Sequence, residues 1–243
     1  MIQFYIPDIA ARPLLEGEEA GHALRVLRKG AGDEIIATDG HGKRYACRIA
    51  EAGKREAKLE IIEEIPVAKP WRGHITLAVA PTKNIDRTEW LVEKAVEIGV
   101  DRLVFLECEH SERRRINEDR IRKIMVSAMK QSLKAELPQL DVMVPLAGFL
   151  KDACAGSSLY IAYCVDRSQS LLFPSALMDE EPGGSIVLLI GPEGDFSKAE
   201  VEAALSEGAK CVTLGDSRLR TETAALFGLS QIHTVKQLKY NIQ

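Results

Sequence analysis

The sequence lacks the long apolar run that a membrane helix requires and the paired cysteines that a disulfide framework or a zinc site requires. No stretch approaches the roughly 20 consecutive apolar residues needed to cross a bilayer. The N-terminal residues 1–8 have neither the cationic lead nor the apolar core of a signal peptide. The five cysteines are odd in number, scattered and without a Cys-x-x-Cys pair, a pattern typical of reduced thiols. We therefore expect a cytoplasmic protein with no membrane segment and no metal.

The sequence also lacks an excess of positive charge. Its 243 residues include 32 Lys and Arg against 36 Asp and Glu, for a net charge of −4. Because phosphate contacts need Lys and Arg, any RNA site must be a local basic patch on an acidic body. A Gly-x-x-x-x-Gly-Lys-Ser/Thr loop is absent too, which disfavours a nucleotide-phosphate enzyme.

The most informative stretch contains two short apolar runs, each followed by a loop with glycine. Ser185–Ile190 predicts a buried strand, and the turn 191–194 has two glycines that allow positive φ and a close approach of backbone to a ligand. Cys211–Leu214 predicts a second strand, followed by the loop 215–223. Open α/β sheets bind ligands at the carboxyl ends of parallel strands, so we expect both loops at one edge of a sheet.

The N-terminal part predicts a small, mostly β module, with a barrel as the expected architecture. Its strands are joined by tight turns, and one helical stretch interrupts them. The predicted elements are the strands Ile2–Ile6, Glu34–Thr38, Tyr45–Ala50 and Lys58–Ile65 and the helix Glu18–Leu27. Two prolines within 65–70 predict a linker, which divides the chain into domains 1–68 and 69–243.

After the linker, strands alternate with helices, which predicts βαβ units and a parallel sheet. The predicted strands before the two-loop stretch are Ile75–Ala80, Arg102–Leu106, Leu140–Val144 and Leu159–Val165. The predicted helices are Ile85–Ile98, Glu118–Lys134, one opened by a Ser197–Glu200 capping box, and Ala224–Leu238. Residues 145–158 and 166–184 are expected to be surface loops, with Asp166 and Arg167 near the ligand edge.

Three basic segments each allow two interpretations, a solvated charged surface or a contact with RNA phosphates. His22, Arg25, Arg28 and Lys29 form either the solvated end of a helix or a phosphate contact. Lys83 and Arg87 share one face of a helix, which is usually only a charged surface. The run 110–115 is either a solvated loop or a phosphate-holding loop at the ligand edge.

The motifs I-G-P-E-G-D-F and L-G-D-S-R-L-R-T-E-T-A, in this order and at this separation, resemble the C-terminal motifs of the RsmE family. These are bacterial 16S ribosomal RNA (uracil N3)-methyltransferases of the SPOUT superfamily. The segments around His22 and Lys83 resemble the family as well, so the likeness covers nearly the whole chain. One departure is Asp195, which stands where the family usually has glycine.

The resemblance implies an α/β fold: a PUA-like β-barrel that binds RNA, then a SPOUT domain with a parallel sheet and a deep trefoil knot. It implies S-adenosylmethionine as cofactor, 16S ribosomal RNA of the small subunit as partner, and a homodimer through the last helix, with Leu226, Leu229 and Ile232 on its apolar face. The implied cofactor residues are Ile190, Gly191, Pro192, Glu193, Gly194, Leu214, Gly215, Leu219, Thr221 and Thr223. The implied RNA contacts are His22, Arg25, Arg28, Lys29, Lys83, Arg87, Ser111 and Arg113.

The expected catalytic residues are Arg220 and Glu222, with Arg218 as an alternative to Arg220. A cation would stabilise the charge that develops on the uracil oxygens when N3 loses its proton. Two rival functions stay open: a methyltransferase of the same superfamily that acts on transfer RNA, and a ribosome-assembly protein that binds RNA without chemistry.

Overall fold

A computed structural model describes residues 2–153, 156–163, 170–181 and 183–240. The chain forms two compact units. The first unit contains residues 1–70 and 126–137, and the second contains 71–125 and 138–243. Asp166 and Arg167, predicted to lie near the ligand edge, fall outside the described residues, as do Cys154 and Cys164.

The first unit contains a five-stranded sheet in the order β1-β3-β4-β5-β2. Its strands are β1 (Gln3–Tyr5), β2 (Leu14–Leu15), β3 (Glu34–Thr38), β4 (Lys43–Ala52) and β5 (Ala57–Pro66). β1 pairs in parallel with β3, and the other neighbours are antiparallel. The four predicted strands are confirmed, and the two-residue β2 was not predicted because so short a run has no visible period.

Alternating side chains of this sheet build the first unit's core. Phe4, Leu15, Tyr45 and Ile49 are among its buried residues. The segment 126–137 belongs to the same unit because its backbone bonds to the sheet's loops: the Gly42 amide donates to Ala135 O at 2.9 Å, and the Leu137 amide donates to Gly40 O at 2.9 Å.

The predicted N-terminal helix is present in an unusual form. A single α turn, α1 (Gly17–Ala20), continues as a π-helical segment, Gly21–Val26. The Leu27 amide then donates to His22 O at 2.9 Å, five residues back. π-helical turns are rare and often lie at functional sites.

The second unit is built on a seven-stranded, all-parallel sheet in the order β10-β12-β9-β11-β6-β7-β8. Its strands are β6 (Ile75–Val79), β7 (Arg102–Glu107), β8 (Gln139–Pro145), β9 (Ser157–Ala162), β10 (Leu171–Leu172), β11 (Ser185–Ile190) and β12 (Lys210–Thr213). Every residue of β6 is buried, as expected of a strand covered on both faces. The predicted parallel sheet is therefore confirmed.

Six further helices complete the described chain. They are α2 (Ile85–Ile98), α3 (Glu118–Gln131), α4 (Leu146–Ala153), α5 (Phe173–Met178), α6 (Lys198–Ser206) and α7 (Thr221–Tyr240). The capping box at the start of α6 is confirmed: the Ser197 amide donates to Glu200 Oε2 at 2.8 Å, and the Glu200 amide donates to Ser197 Oγ at 3.3 Å.

The prediction of surface loops at 145–158 and 166–184 is wrong for α4 and α5. Phe149 and Leu150 of α4 and Phe173 and Leu177 of α5 are buried. Gly148 interrupts the helical pattern of α4, and Pro174 lies in the first turn of α5, where proline is tolerated. Both residues read as loop signals in the sequence.

The predicted apolar dimer face of the last helix needs correction. Leu226, Leu229 and Ile232 are all buried within their own chain, at 9%, 0% and 0% exposure. They hold α7 in place, since α7 packs on α2 and on strands of the sheet. Phe227 and Leu238 are the large apolar residues that α7 exposes among the described residues.

Candidate active site

The two predicted loops follow strands on either side of β9. β11 ends at Ile190, β12 ends at Thr213, and both pair in parallel with β9. Parallel strands point the same way, so 191–197 (the first loop) and 214–220 (the second loop) leave the sheet at one edge. Two strand spacings set their starting points roughly 10 Å apart. The prediction that both loops lie at one edge of the sheet is therefore confirmed.

The first loop makes its turn with Asp195 and not with a glycine. Asp195 has a φ of +62°, in the left-handed region, and its amide donates to Pro192 O at 2.9 Å. Its own carboxylate accepts the Phe196 amide at 2.8 Å. Aspartate tolerates this conformation better than most residues because of such local hydrogen bonds. The residue that departs from the family motif therefore occupies a position where glycine is favoured.

The two glycines of the first loop are needed for space. Neither Gly191 nor Gly194 has a positive φ, so that part of the prediction is wrong. A Cβ on Gly191 would lie 3.1 Å from atoms of Phe196, and one on Gly194 would lie 3.1 Å from His110 Cβ. The glycines allow the first loop to pack closely against these neighbours.

Hydrogen bonds join the first loop to the loop that follows β6. The Lys83 amide donates to Glu193 Oε1 at 2.9 Å. Arg113, from the loop after β7, donates to Thr82 O at 2.9 Å and also to Lys83 O. These bonds hold three loops of the sheet edge together.

His110 adds a link that sequence reasoning did not assign. Its Nδ1 lies 3.2 Å from Gly194 O and 3.0 Å from Asp195 O. A protonated Nδ1 donates to these carbonyls. Next to it, the Glu109 amide donates to Glu200 Oε1 at 2.8 Å. The position of His110 directly after a strand at the ligand edge was the only available signal.

The second loop is more open. Gly215 has a φ of +141°, and a Cβ placed there would meet no other atom within 4 Å. Thr213 Oγ1 donates to Gly215 O at 3.1 Å, and Leu214 O accepts Gln231 Nε2 at 3.0 Å. The carbonyl of Leu214, a predicted cofactor contact, therefore already accepts one hydrogen bond from the protein.

The cations of the second loop have no partner within the described part of the chain. Arg218 and Arg220 are exposed, and neither guanidinium forms a hydrogen bond or ion pair with any described residue. Glu222, in the first turn of α7, is only 7% exposed. Its Oε1 lies 3.6 Å from Arg87 Nη1 of α2. The structure therefore pairs Glu222 with Arg87 and leaves both loop arginines available.

All ten predicted cofactor residues lie in these two loops, at the end of β11 or at the start of α7. The buried members are Ile190, Gly191, Pro192, Leu214 and Thr221, and the half-buried or exposed members are Glu193, Gly194, Gly215, Leu219 and Thr223. A largely main-chain surface with few large polar side chains suits a neutral ring system.

The four predicted RNA contacts of the second unit all have partners inside the protein, Arg87 through its ion pair with Glu222. Lys83 Nζ lies 2.7 Å from Glu112 Oε2, and this hydrogen bond raises the pKa of Lys83. Ser111 is buried and closes a turn, because its Oγ accepts the Cys108 amide at 3.2 Å. Arg113 donates to backbone carbonyls. Their RNA contacts stay predictions.

In the first unit, the predicted RNA contacts cluster around the π-helical segment. The half-buried His22 ring lies 5.9 Å from the Phe4 ring, and Lys29 Nζ donates to Glu34 O at 3.3 Å. Arg25 and Arg28 are exposed, and Arg28 has a left-handed φ of +56°. These exposed guanidiniums are available for an external anion.

Two of the described cysteines, Cys47 and Cys108, are buried and unsuited to nucleophilic chemistry. Burial raises the pKa of Cys47 to about 11 and that of Cys108 to about 12, which keeps both thiols protonated at neutral pH. Cys211 is half-buried. Among the described residues, no group of three His, Cys, Asp or Glu side chains could hold a metal ion.

No helix within the described ranges combines the length and apolar character needed to span a membrane.

Two family models match the chain. One described as an RNA methyltransferase domain matches residues 69–233, and one described as an RNA methyltransferase PUA domain matches residues 15–62. Together with the two loops at one edge of a parallel sheet, these matches define the class: an RNA methyltransferase with an N-terminal PUA domain.

Two solved structures and one named relative identify the family within this class. The crystal structure of a probable rRNA-methyltransferase from Porphyromonas gingivalis is 45% identical, with a TM-score of 0.93, and the match covers 98% of this chain and all of that one. A ribosomal RNA small subunit methyltransferase E from Neisseria gonorrhoeae, solved with bound S-adenosyl methionine, is 27% identical, with a TM-score of 0.81 and coverage of 97% and 98%. The Aquifex aeolicus protein named ribosomal RNA small subunit methyltransferase E is 30% identical over 88% of this chain and 90% of its own length. This chain belongs to the ribosomal RNA small subunit methyltransferase E family.

Proposed function

We propose that this protein transfers a methyl group from S-adenosylmethionine to N3 of a uridine in the 16S ribosomal RNA of the small subunit. The observation that carries the proposal is the second loop: Arg218 and Arg220 have no partner among the described residues and stand at the same sheet edge as the closely packed first loop. A site of this kind offers a main-chain surface for a cofactor and free cations for an RNA base.

The residues at the sheet edge fit the cofactor. Gly215 offers bare main chain beside open space, and the buried Ile190 and Leu214 supply an apolar floor. Main-chain groups of both loops would hold the adenosine. When bound, S-adenosylmethionine supplies an electrophilic methyl group.

The protein's own residues stabilise the negative charge on the uracil base and take up its N3 proton. A uracil N3 becomes nucleophilic only when its proton leaves, and the negative charge then spreads onto the ring oxygens. Arg220 stabilises that charge from the second loop, and its effect is larger in the transition state than in the ground state. Glu222 accepts or relays the proton, and Arg87 orients its carboxylate through the 3.6 Å ion pair.

A methyl-transfer assay tests the proposal. The purified protein is incubated with labelled S-adenosylmethionine and, in separate reactions, with 16S ribosomal RNA, small subunits and transfer RNA. We expect 3-methyluridine in the ribosomal RNA, identified by nucleoside analysis. Label in transfer RNA alone would support the rival substrate. Absence of cofactor binding by calorimetry would support an assembly protein without chemistry.

The proposal extends to the organisation of the chain. Residues 1–68 form a PUA-like barrel that contacts the RNA through His22, Arg25, Arg28 and Lys29, and residues 69–243 form a SPOUT domain with a deep trefoil knot. Lys83, Arg87, Ser111 and Arg113 are further contacts or support them. Ribosomal RNA as substrate implies action in the cytoplasm.

The proposal also includes a homodimer that forms through α7. That dimer would bury Phe227 and Leu238, which are 46% and 54% exposed on the helix. Light scattering should give twice the mass of the 26.8 kDa chain. A monomer mass at micromolar concentration would contradict the homodimer.

A further inference from the structure

An open cleft of about 490 Å³ lies in the first unit beside the π-helical segment. It is lined by two glycines and three cations: Gly17, Gly21, Arg25, Lys54 and Arg55. Arg25 belongs to the π-helical segment, and the other two cations form the centre of the turn between β4 and β5. That turn is closed by the Gly53 amide, which donates to Glu56 O at 2.9 Å. Two segments distant in sequence therefore bring three positive charges to one concave surface.

The cations of the cleft differ from most others in the same unit. Arg12, Lys43, Arg48, Lys58 and Lys130 each form an ion pair with a glutamate. The side chains of Arg25, Lys54 and Arg55 form no hydrogen bond or ion pair with any residue that the structure describes. On a chain of net charge −4, three such cations around one cleft mark a site for an external anion.

The position of Arg25 depends on the absence of a side chain at residue 21. A Cβ on Gly21 would lie 2.6 Å from Arg25 Nη2, so the guanidinium occupies the space that a larger residue would take. Gly21 itself has ordinary helical angles, with φ −59° and ψ −41°. Glycine is therefore not needed there for the backbone, and its presence lets Arg25 fold against the helix and face the cleft.

We propose that Lys54 and Arg55 extend the RNA contact of Arg25 across the cleft, and that these three cations bind backbone phosphates of the ribosomal RNA. Guanidinium groups match phosphate oxygens in a bidentate manner, and an open cleft admits a continuous strand. The site supplies affinity and register without reading the base sequence. This inference rests on the proposed function, because it takes the RNA substrate as its ligand.

The test compares two variants that each remove two positive charges from the full-length protein. The cleft variant, Lys54→Gln/Arg55→Gln, removes two cations that line the cleft. The control variant, Arg48→Gln/Lys58→Gln, removes two cations of the same unit that form ion pairs with glutamates. Binding of 16S ribosomal RNA is measured over a range of salt concentrations. We expect the cleft variant to bind roughly tenfold more weakly at low salt and to have a log–log salt slope smaller by about 1.5, the value for two lost phosphate contacts. The control variant should stay within about twofold of the wild type.

Gly21→Ala tests the same cleft without changing any charge. Because only the end of a flexible side chain must move, folding should be unaffected while Arg25 leaves its position. We expect roughly threefold weaker RNA binding, about the loss of part of one phosphate contact.

Cofactor binding and turnover at saturating RNA distinguish a failure of this inference from a failure of the proposed function. Normal cofactor affinity and normal maximal turnover in the cleft variant, with weaker RNA binding, support the inference. Equal RNA affinity and salt slope in the cleft and control variants would overturn it, even if the wild type methylates RNA. A wild type that binds neither RNA nor cofactor would overturn the proposed function as well.

Discussion

The first and second loops leave the same sheet edge but are held in opposite ways. The first loop is joined to its neighbours by Glu193, which accepts the Lys83 amide, and by His110, which lies against the carbonyls of residues 194 and 195. The second loop has Gly215 beside open space and two arginines without partners among the described residues.

This contrast suggests a division of tasks. Groups that bind a cofactor are most effective when their position is fixed before binding. Groups that meet a flexible RNA must not already be engaged inside the protein. We therefore propose that the first loop fixes the shape of the cofactor site, and that the second loop, besides its main-chain contacts to the cofactor, supplies the charge for the reaction.

The strongest test of the division is Arg220→Ala. We expect turnover to fall by at least roughly 100-fold, the scale of losing one group that stabilises transition-state charge. Cofactor affinity should be unchanged, because the role proposed for the Arg220 side chain is in the reaction and not in cofactor binding. Single-turnover methylation and calorimetry measure the two quantities.

Arg218→Ala is the matched control, since both arginines lie in the second loop and both are exposed. A smaller loss in Arg218→Ala would assign the catalytic role to Arg220. If Arg218→Ala loses more activity, the roles are reversed. Full activity in both variants would contradict any catalytic role for the second loop.

A change in the first loop should affect the cofactor instead. Glu193→Ala removes the acceptor for the Lys83 amide, and we expect cofactor affinity to fall by about tenfold, or about 1.4 kcal/mol. Glu193→Gln keeps an oxygen acceptor and should retain most of that affinity. Equal affinities in the wild type and both variants would show that this bond does not shape the site.

The smallest expected effect concerns Asp195 and is seen in stability. Asp195→Ala keeps a Cβ at φ +62° and loses the bond to the Phe196 amide, so the free energy of unfolding should fall by about 1–2 kcal/mol. Asp195→Gly loses the same bond but relaxes the backbone, and it should be the more stable variant. Denaturant unfolding measures both, and a less stable glycine variant would contradict the conformational argument.

Much of the second unit's fold could be predicted because local signals agreed with the final structure. The Ser197–Glu200 capping box and the apolar run Ser185–Ile190 each mark an element whose boundary the structure reproduces. Helices α4 and α5 were missed because Gly148 and Pro174 are loop signals when read locally, whereas burial against the sheet decides the outcome.

The sequence predicted which loops lie at the site, but not which residues contact one another there. The glycines of both loops and the two arginines of the second loop are visible in the sequence itself. The Arg87–Glu222 ion pair and the bond from Lys83 to Glu193 join residues more than a hundred positions apart, which no local pattern encodes. For the same reason, the sequence could not tell that Gly191 provides space and that Asp195 provides the turn.

The central claim is that both loops hold the cofactor together. Amide hydrogen exchange, with and without S-adenosylmethionine, tests it most directly, because each loop is observed in its own peptides. We expect added cofactor to slow exchange in 190–196 and in 214–221 and to leave the sheet of the first unit unchanged. Protection in only one of the two loops, or in neither, would contradict the account.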